Sequence, residues 1–139
     1  MKSTDELLDA LNNSNNIDQY IAENADSIIS DSIPQLLGQL LEEKGLKKSE
    51  VIKSSEISGS YGYQIFSGEK KEPARDKILA VLIAMKLDLD EIQKFLKAAG
   101  YPPLYPKNKR DSIIIFCINE KASVMDVNRR LYDMDEQTL

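Results

Sequence analysis

The feature that most constrains this chain is a recurring helix-start signature. Ser3-x-x-Glu6, Ser32-x-x-Gln35, Asp88-x-x-Glu91 and Ser123-x-x-Asp126 each set a capping residue three positions before an acid or amide. At such a site the first side chain accepts from a free backbone N–H, and the second can return the bond. Apolar residues follow at helical spacing in Leu7/Leu8/Leu11, Leu36/Leu37/Leu40/Leu41, Ile78/Leu79/Leu82/Ile83 and Ile92/Phe95/Leu96. Gly45 and Gly100 stand where helices should stop. No stretch alternates cleanly with the two-residue period of a strand, so the expectation is an all-α protein.

With 42% hydrophobic and 29% charged residues, the chain has the balance of a globular protein able to bury a core. No apolar segment approaches the ~20 residues of a membrane span, and the acidic start Met1-Lys2-Ser3-Thr4-Asp5-Glu6 does not read as a signal peptide. The expected setting is cytoplasmic, with no membrane partner. Cys117, the single cysteine, sits in the run Ile113-Ile114-Ile115-Phe116-Cys117-Ile118, which predicts a buried, inert thiol. There is no histidine, glycine-rich phosphate loop, zinc spacing or nucleophile elbow, so neither an enzyme nor a cofactor or metal is expected. The acids Asp88, Asp90 and Glu91 open a helix, where carboxylates suit the dipole.

Three polar or proline-bearing stretches divide the chain: 12–16, 67–73 and 100–109. The expected organisation is an N-terminal helical extension (1–32), a central domain (33–99), a Pro-rich connector (100–109) and a C-terminal helical hairpin (110–139). The hairpin resembles what precedes it. At an offset of 35 (110 minus 75), Arg75-Asp76 matches Arg110-Asp111, and Ile78 and Ile83 match Ile113 and Ile118. Further along, Leu89, Glu91 and Ile92 match Val124, Asp126 and Val127, while Gln93, Lys94 and Leu96 match Asn128, Arg129 and Leu131. Two amphipathic hairpins of any origin would share much of this pattern. On either account the second must bury its apolar face on something.

The formal charge of −5 is unevenly spread. Residues 1–33 carry one basic and seven acidic groups, and residues 111–139 three and six. Residues 34–110 between them carry fourteen basic and ten acidic groups, which permits a local phosphate-facing surface.

Residues 36–97 resemble the Cro/repressor family of phage and bacterial DNA-binding proteins, the xenobiotic-response-element type of helix-turn-helix. The resemblance rests on Leu37–Lys44 ending at Gly45-Leu46, on Lys48–Ser55, on Gly59–Ser67, and on Gly68 followed by Lys70, Lys71 and Pro73. Ile78–Met85 and Leu89–Leu96 would close a five-helix domain. The resemblance implies a sequence-specific regulator of transcription that binds double-stranded DNA, as a homodimer, with the helix at 59–67 in the major groove. It implies base reading by Gly59, Ser60, Tyr61 and Gln64, with Gln64 able to pair adenine N6 and N7. Lys48, Ser58, Ser67, Lys70 and Lys71 would meet phosphates, Ser58 also capping the reading helix. Dimer contacts are expected from the C-terminal hairpin first, then from segment 100–106 or the N-terminal helices.

Departures from the family pattern come partly in pairs. Ile52 stands where the second helix usually has a small residue, and Gly62 where the third has Ile or Val; these positions normally touch, so volume is conserved. Leu41 and Phe66 replace a buried Arg–Glu pair, an exchange that is often neutral or stabilising. Glu56 occupies a turn position that usually holds glycine, so it must either adopt a left-handed conformation or alter the turn. Glu56, Gly59, Gly62 and the net acidity motivate the alternative: a protein-interaction module on the same scaffold, docking a partner through Gly59–Phe66 or the C-terminal hairpin.

Overall fold

The computed structural model describes residues 4–12, 16–18 and 32–139. They are all-helical, with eight helices and no strand among the described residues. The chain divides into two compact units, 1–30 and 31–139. In the first, α1 spans Thr4–Asn12. Its expected cap Ser3 and residues 13–15 of the polar break lie outside the described residues.

The second unit contains α2 (Ile33–Lys44), α3 (Lys48–Ser54), α4 (Gly59–Ser67), α5 (Arg75–Ala84), α6 (Leu89–Ala98), α7 (Lys109–Asn119) and α8 (Val124–Asp133). The starts of α2 and α6 are full capping boxes: Ser32 and Gln35 bond reciprocally, as do Asp88 and Glu91. At α8 the Ser123 hydroxyl accepts from the Asp126 N–H, while the Asp126 carboxylate turns to Arg129. Helix α2 stops at Gly45, whose φ of 62° is the left-handed cap that glycine adopts at least cost.

Helix α5 is the axis of the core. Ile78, Leu79, Ala80, Val81, Leu82 and Ile83 are buried in an unbroken run, so every face of the helix is covered. Helix α3 packs on one side and α8 on another, while α2 lies on α4 and α6 on α7. The segment after Gly100 belongs to this core. Leu104 is buried, and Gln93 clamps its backbone with two hydrogen bonds of 2.8 and 2.7 Å.

The two hairpins, α5–α6 and α7–α8, are related by a pseudo-two-fold. Arg75 pairs with Asp111 and Arg110 with Asp76, each through two bonds between 2.9 and 3.2 Å. Lys86 Nζ donates to the Lys121 carbonyl and Lys121 Nζ to that of Lys86. The packing of α5 on α8 is matched by that of α7 on α6. Contacts inside each hairpin also repeat. Arg75 donates to the carbonyls of Pro102 and Pro103, and Arg110 to those of Gln137 and Thr138. The Leu139 N–H bonds to Asn128 as that of Leu104 bonds to Gln93. Lys86 and Lys121 share a φ of 59°. Reciprocal contacts of this kind are the signature of an isologous interface, here within one chain.

This arrangement settles where the C-terminal hairpin buries its apolar face. Ile113, Ile114, Cys117, Ile118, Val124, Val127 and Leu131 join the same cluster as α5 and α6. The apolar face of the second hairpin is therefore covered by the chain's own first hairpin. Cys117 is buried as expected, and burial pushes its thiol pKa up.

Candidate nucleic-acid interface

Helices α3 and α4 are joined by Ser55-Glu56-Ile57-Ser58. The buried Ser55 hydroxyl donates to the Ile52 carbonyl at 2.6 Å and closes α3. Glu56 then turns the chain with φ 61°, the left-handed conformation, while its side chain stays exposed. Ile57 packs against the core and Ser58 opens α4, its hydroxyl accepting from the Tyr61 N–H at 3.2 Å.

Gly62 fixes how α4 sits on α3. A Cβ there would stand 2.6 Å from Ile52 Cγ2, so the large residue on α3 and the absent side chain on α4 are one fitted contact. Gly62 and Ile65 face inward and are buried. At 100° per residue, Ser60, Tyr63, Gln64 and Ser67 then lie on the outward side. Leu41 and Phe66, the other exchanged pair, are both partly buried against the core.

The expected base-reading residues separate. Gly59 and Ser60 are exposed in the first turn, and Gln64 is half-buried. Tyr61 is half-buried too, and its hydroxyl accepts from the Ala74 N–H at 3.2 Å, tying α4 to the start of α5. Tyr63, assigned no reading role above, is the more open tyrosine at 48% exposure. Its signal was positional: it sits one residue past the buried Gly62 and two before the buried Ile65.

The expected phosphate residues border the same helix. Lys48 Nζ lies 5.8 Å from the Tyr63 ring centre and Lys70 Nζ 5.2 Å from that of Tyr61, so one ammonium stands over each tyrosine. Lys71 is exposed. The Ser67 hydroxyl is engaged locally, donating to the Gln64 carbonyl and accepting from the Glu69 N–H. Glu50, Glu56, Glu69 and Glu72 are exposed on the same stretch of chain. Arg75 is absorbed in the bonds between hairpins and adds nothing to this surface.

Among the described residues no helix is long and apolar enough to cross a membrane. Comparison of the chain with family models, curated proteins and solved structures returns no match.

Proposed function

We propose that this chain is a sequence-specific DNA-binding regulator of transcription, built on a repressor-like helix-turn-helix formed by α3 and α4, and acting as a homodimer on duplex DNA. The observation that carries the reading is the outward stripe Ser60–Tyr63–Gln64–Ser67, held by the Ile52–Gly62 contact and bordered by Lys48 and Lys70. Hydroxyl and amide groups on such a stripe can address base edges, and the lysines can address phosphates on both sides.

Selection from a random duplex pool at low salt tests this. The expected result is an enriched site whose affinity falls with salt. Gln64→Ala should relax preference at one base position, and Lys70→Ala should weaken all sequences alike, lowering the salt slope by about 1. Failure to bind any duplex at low salt overturns the reading.

A second reading is favoured by the exposed Glu50, Glu56, Glu69 and Glu72 and by the engagement of Arg75 with Asp111 rather than with this surface. On it, the Tyr61–Tyr63 surface of α4 docks a protein, because carboxylates around a reading helix repel phosphate and leave aromatic contact area as its main asset. The same selection separates the two.

A further inference from the structure

The pseudo-two-fold fixes which ends of the two hairpins lie together. The Arg75–Asp111 and Arg110–Asp76 pairs join the starts of α5 and α7, and the Lys86–Lys121 bonds join their far ends. The two helices therefore run parallel, and the loops before them, 70–74 and 105–109, sit at the same end of the unit. The connector keeps these loops close. Tyr101 Oη donates to the Pro73 carbonyl, and Arg75 donates to those of Pro102 and Pro103 at 2.9 and 3.1 Å. At the offset of 35, Lys70 corresponds to Tyr105, Glu72 to Lys107 and Ala74 to Lys109. The first loop is the one that borders α4, with Lys70 over the Tyr61 ring and the Tyr61 hydroxyl on the Ala74 N–H.

We infer that the loop 105–109 is a second phosphate-contacting surface for duplex DNA, widening the footprint of the chain beyond α3 and α4; this rests on the DNA-binding reading proposed above. Charge and position carry the inference. From Ile92 to Arg110 the chain holds five basic groups and no acid, within a protein of net charge −5. The first loop sets Glu72 beside Lys70 and Lys71, whereas the second holds Lys107 and Lys109 alone. An acid in one copy is thus a base in the other. Residues 105–109 are all exposed, Tyr105 at 56%. Lys107 has no ion-pair partner among the described residues. Lys109 reaches Glu136 at 3.7 Å and the Met134 carbonyl at 3.0 Å, which leaves Lys107 as the freer charge. Duplex DNA carries one negative charge per about 1.7 Å of its axis, so a basic loop beside a helix seated in the major groove meets backbone without any base contact. The Tyr105 hydroxyl adds a neutral donor of the kind that phosphate oxygens accept.

Equilibrium binding of the full chain to a duplex recovered by random-pool selection, across a salt series, tests this. Lys107→Ala should lower the salt slope by about 1 without changing base preference. At 0.1 M salt it should weaken binding about eightfold, the loss of one phosphate contact that contributes nothing at 1 M. Lys107→Glu, which places there the acid of the first loop, should weaken binding further. Lys121→Ala removes the same charge at the far end of α7 and should leave both slope and affinity unchanged. In phosphate-ethylation interference, Lys70→Ala and Lys107→Ala should release different phosphates. An unchanged slope in Lys107→Ala, or an equal loss in Lys121→Ala, overturns the inference and leaves the reading by α4 standing. A chain that binds no duplex overturns both.

Discussion

Arg75 and Asp111 join the two hairpins through paired bonds of 3.2 and 3.1 Å, and Asp111 Oδ2 also accepts the Tyr105 N–H at 2.9 Å. Asp111 is 8% exposed, so removing the guanidinium would strand a carboxylate with one backbone donor. Arg75→Ala should cost about 2–3 kcal/mol in urea unfolding. Arg110→Ala should cost less, because Asp76, at 30% side-chain exposure, can be rehydrated. Equal losses from the two variants would mean that burial does not set the strength of these pairs.

The Ile52–Gly62 contact makes a reciprocal prediction. Helix propensity alone would have Gly62→Ala stabilise by about 1 kcal/mol. The added Cβ would instead meet Ile52 at 2.6 Å, so the net effect should be destabilising, and Gly62→Val should cost about 2–3 kcal/mol. Ile52→Ala leaves a cavity beside α4 and should cost about 2–4 kcal/mol. The double variant Ile52→Ala/Gly62→Val should recover most of the loss, giving a strongly negative coupling energy in a double-mutant cycle. Additive losses would show that the two positions do not share one packing volume.

Much of this was legible in the chain, because local rules dominate it. Capping residues, helical apolar spacing and Gly45 marked the helices, and the boundaries of α4 follow from Ser58 and Gly68. The offset of 35 was visible in Arg75-Asp76 and Arg110-Asp111, but its geometric meaning was not. A matched dipeptide says that two segments are alike; it does not say that the arginine of one copy reaches the aspartate of the other. The further identities Lys86/Lys121 and Leu104/Leu139 carry the same offset, and they make sense once their reciprocal bonds are seen. Roles around α4 were harder to read. Tyr61 and Tyr63 are chemically alike, and only the inward turn of Gly62 and Ile65 decides which stays open. The role of Arg75 is not local either, because its carboxylate partner lies 36 residues away.

Glu56 holds φ 61° without a glycine's freedom. Glu56→Gly should therefore stabilise by about 0.5–1 kcal/mol, since relief of the left-handed strain outweighs the added flexibility of the unfolded chain. Lys86→Gly, at φ 59°, relieves the same strain but deletes the 3.0 Å bond to Lys121, and should gain less. Thermal unfolding of both variants decides this; a loss of stability in Glu56→Gly would show that the turn is not strained.

Lys44 and Glu91 tie α2 to α6 with a 2.7 Å contact. The Glu91 carboxylate is held below its ordinary pKa, first by the bond from Lys44 and then by the Asp88 N–H of the capping box. Lys44 is correspondingly raised, mainly by the same bond. For a carboxylate whose folded pKa is depressed, the stabilisation is complete above the unfolded value and is lost as pH falls through the folded one. Acidification through and below the carboxylate range should thus loosen the α2–α6 contact. Carboxyl-detected NMR should show Glu91 titrating below a free glutamate, and Lys44→Met should move it upward without bringing it fully to the free value, because the Asp88 bond remains. Glu91→Gln should flatten the acid limb of stability against pH. If Lys44→Met left the Glu91 titration unmoved, the ion pair would not be formed in solution, and the capping bond alone would carry the shift.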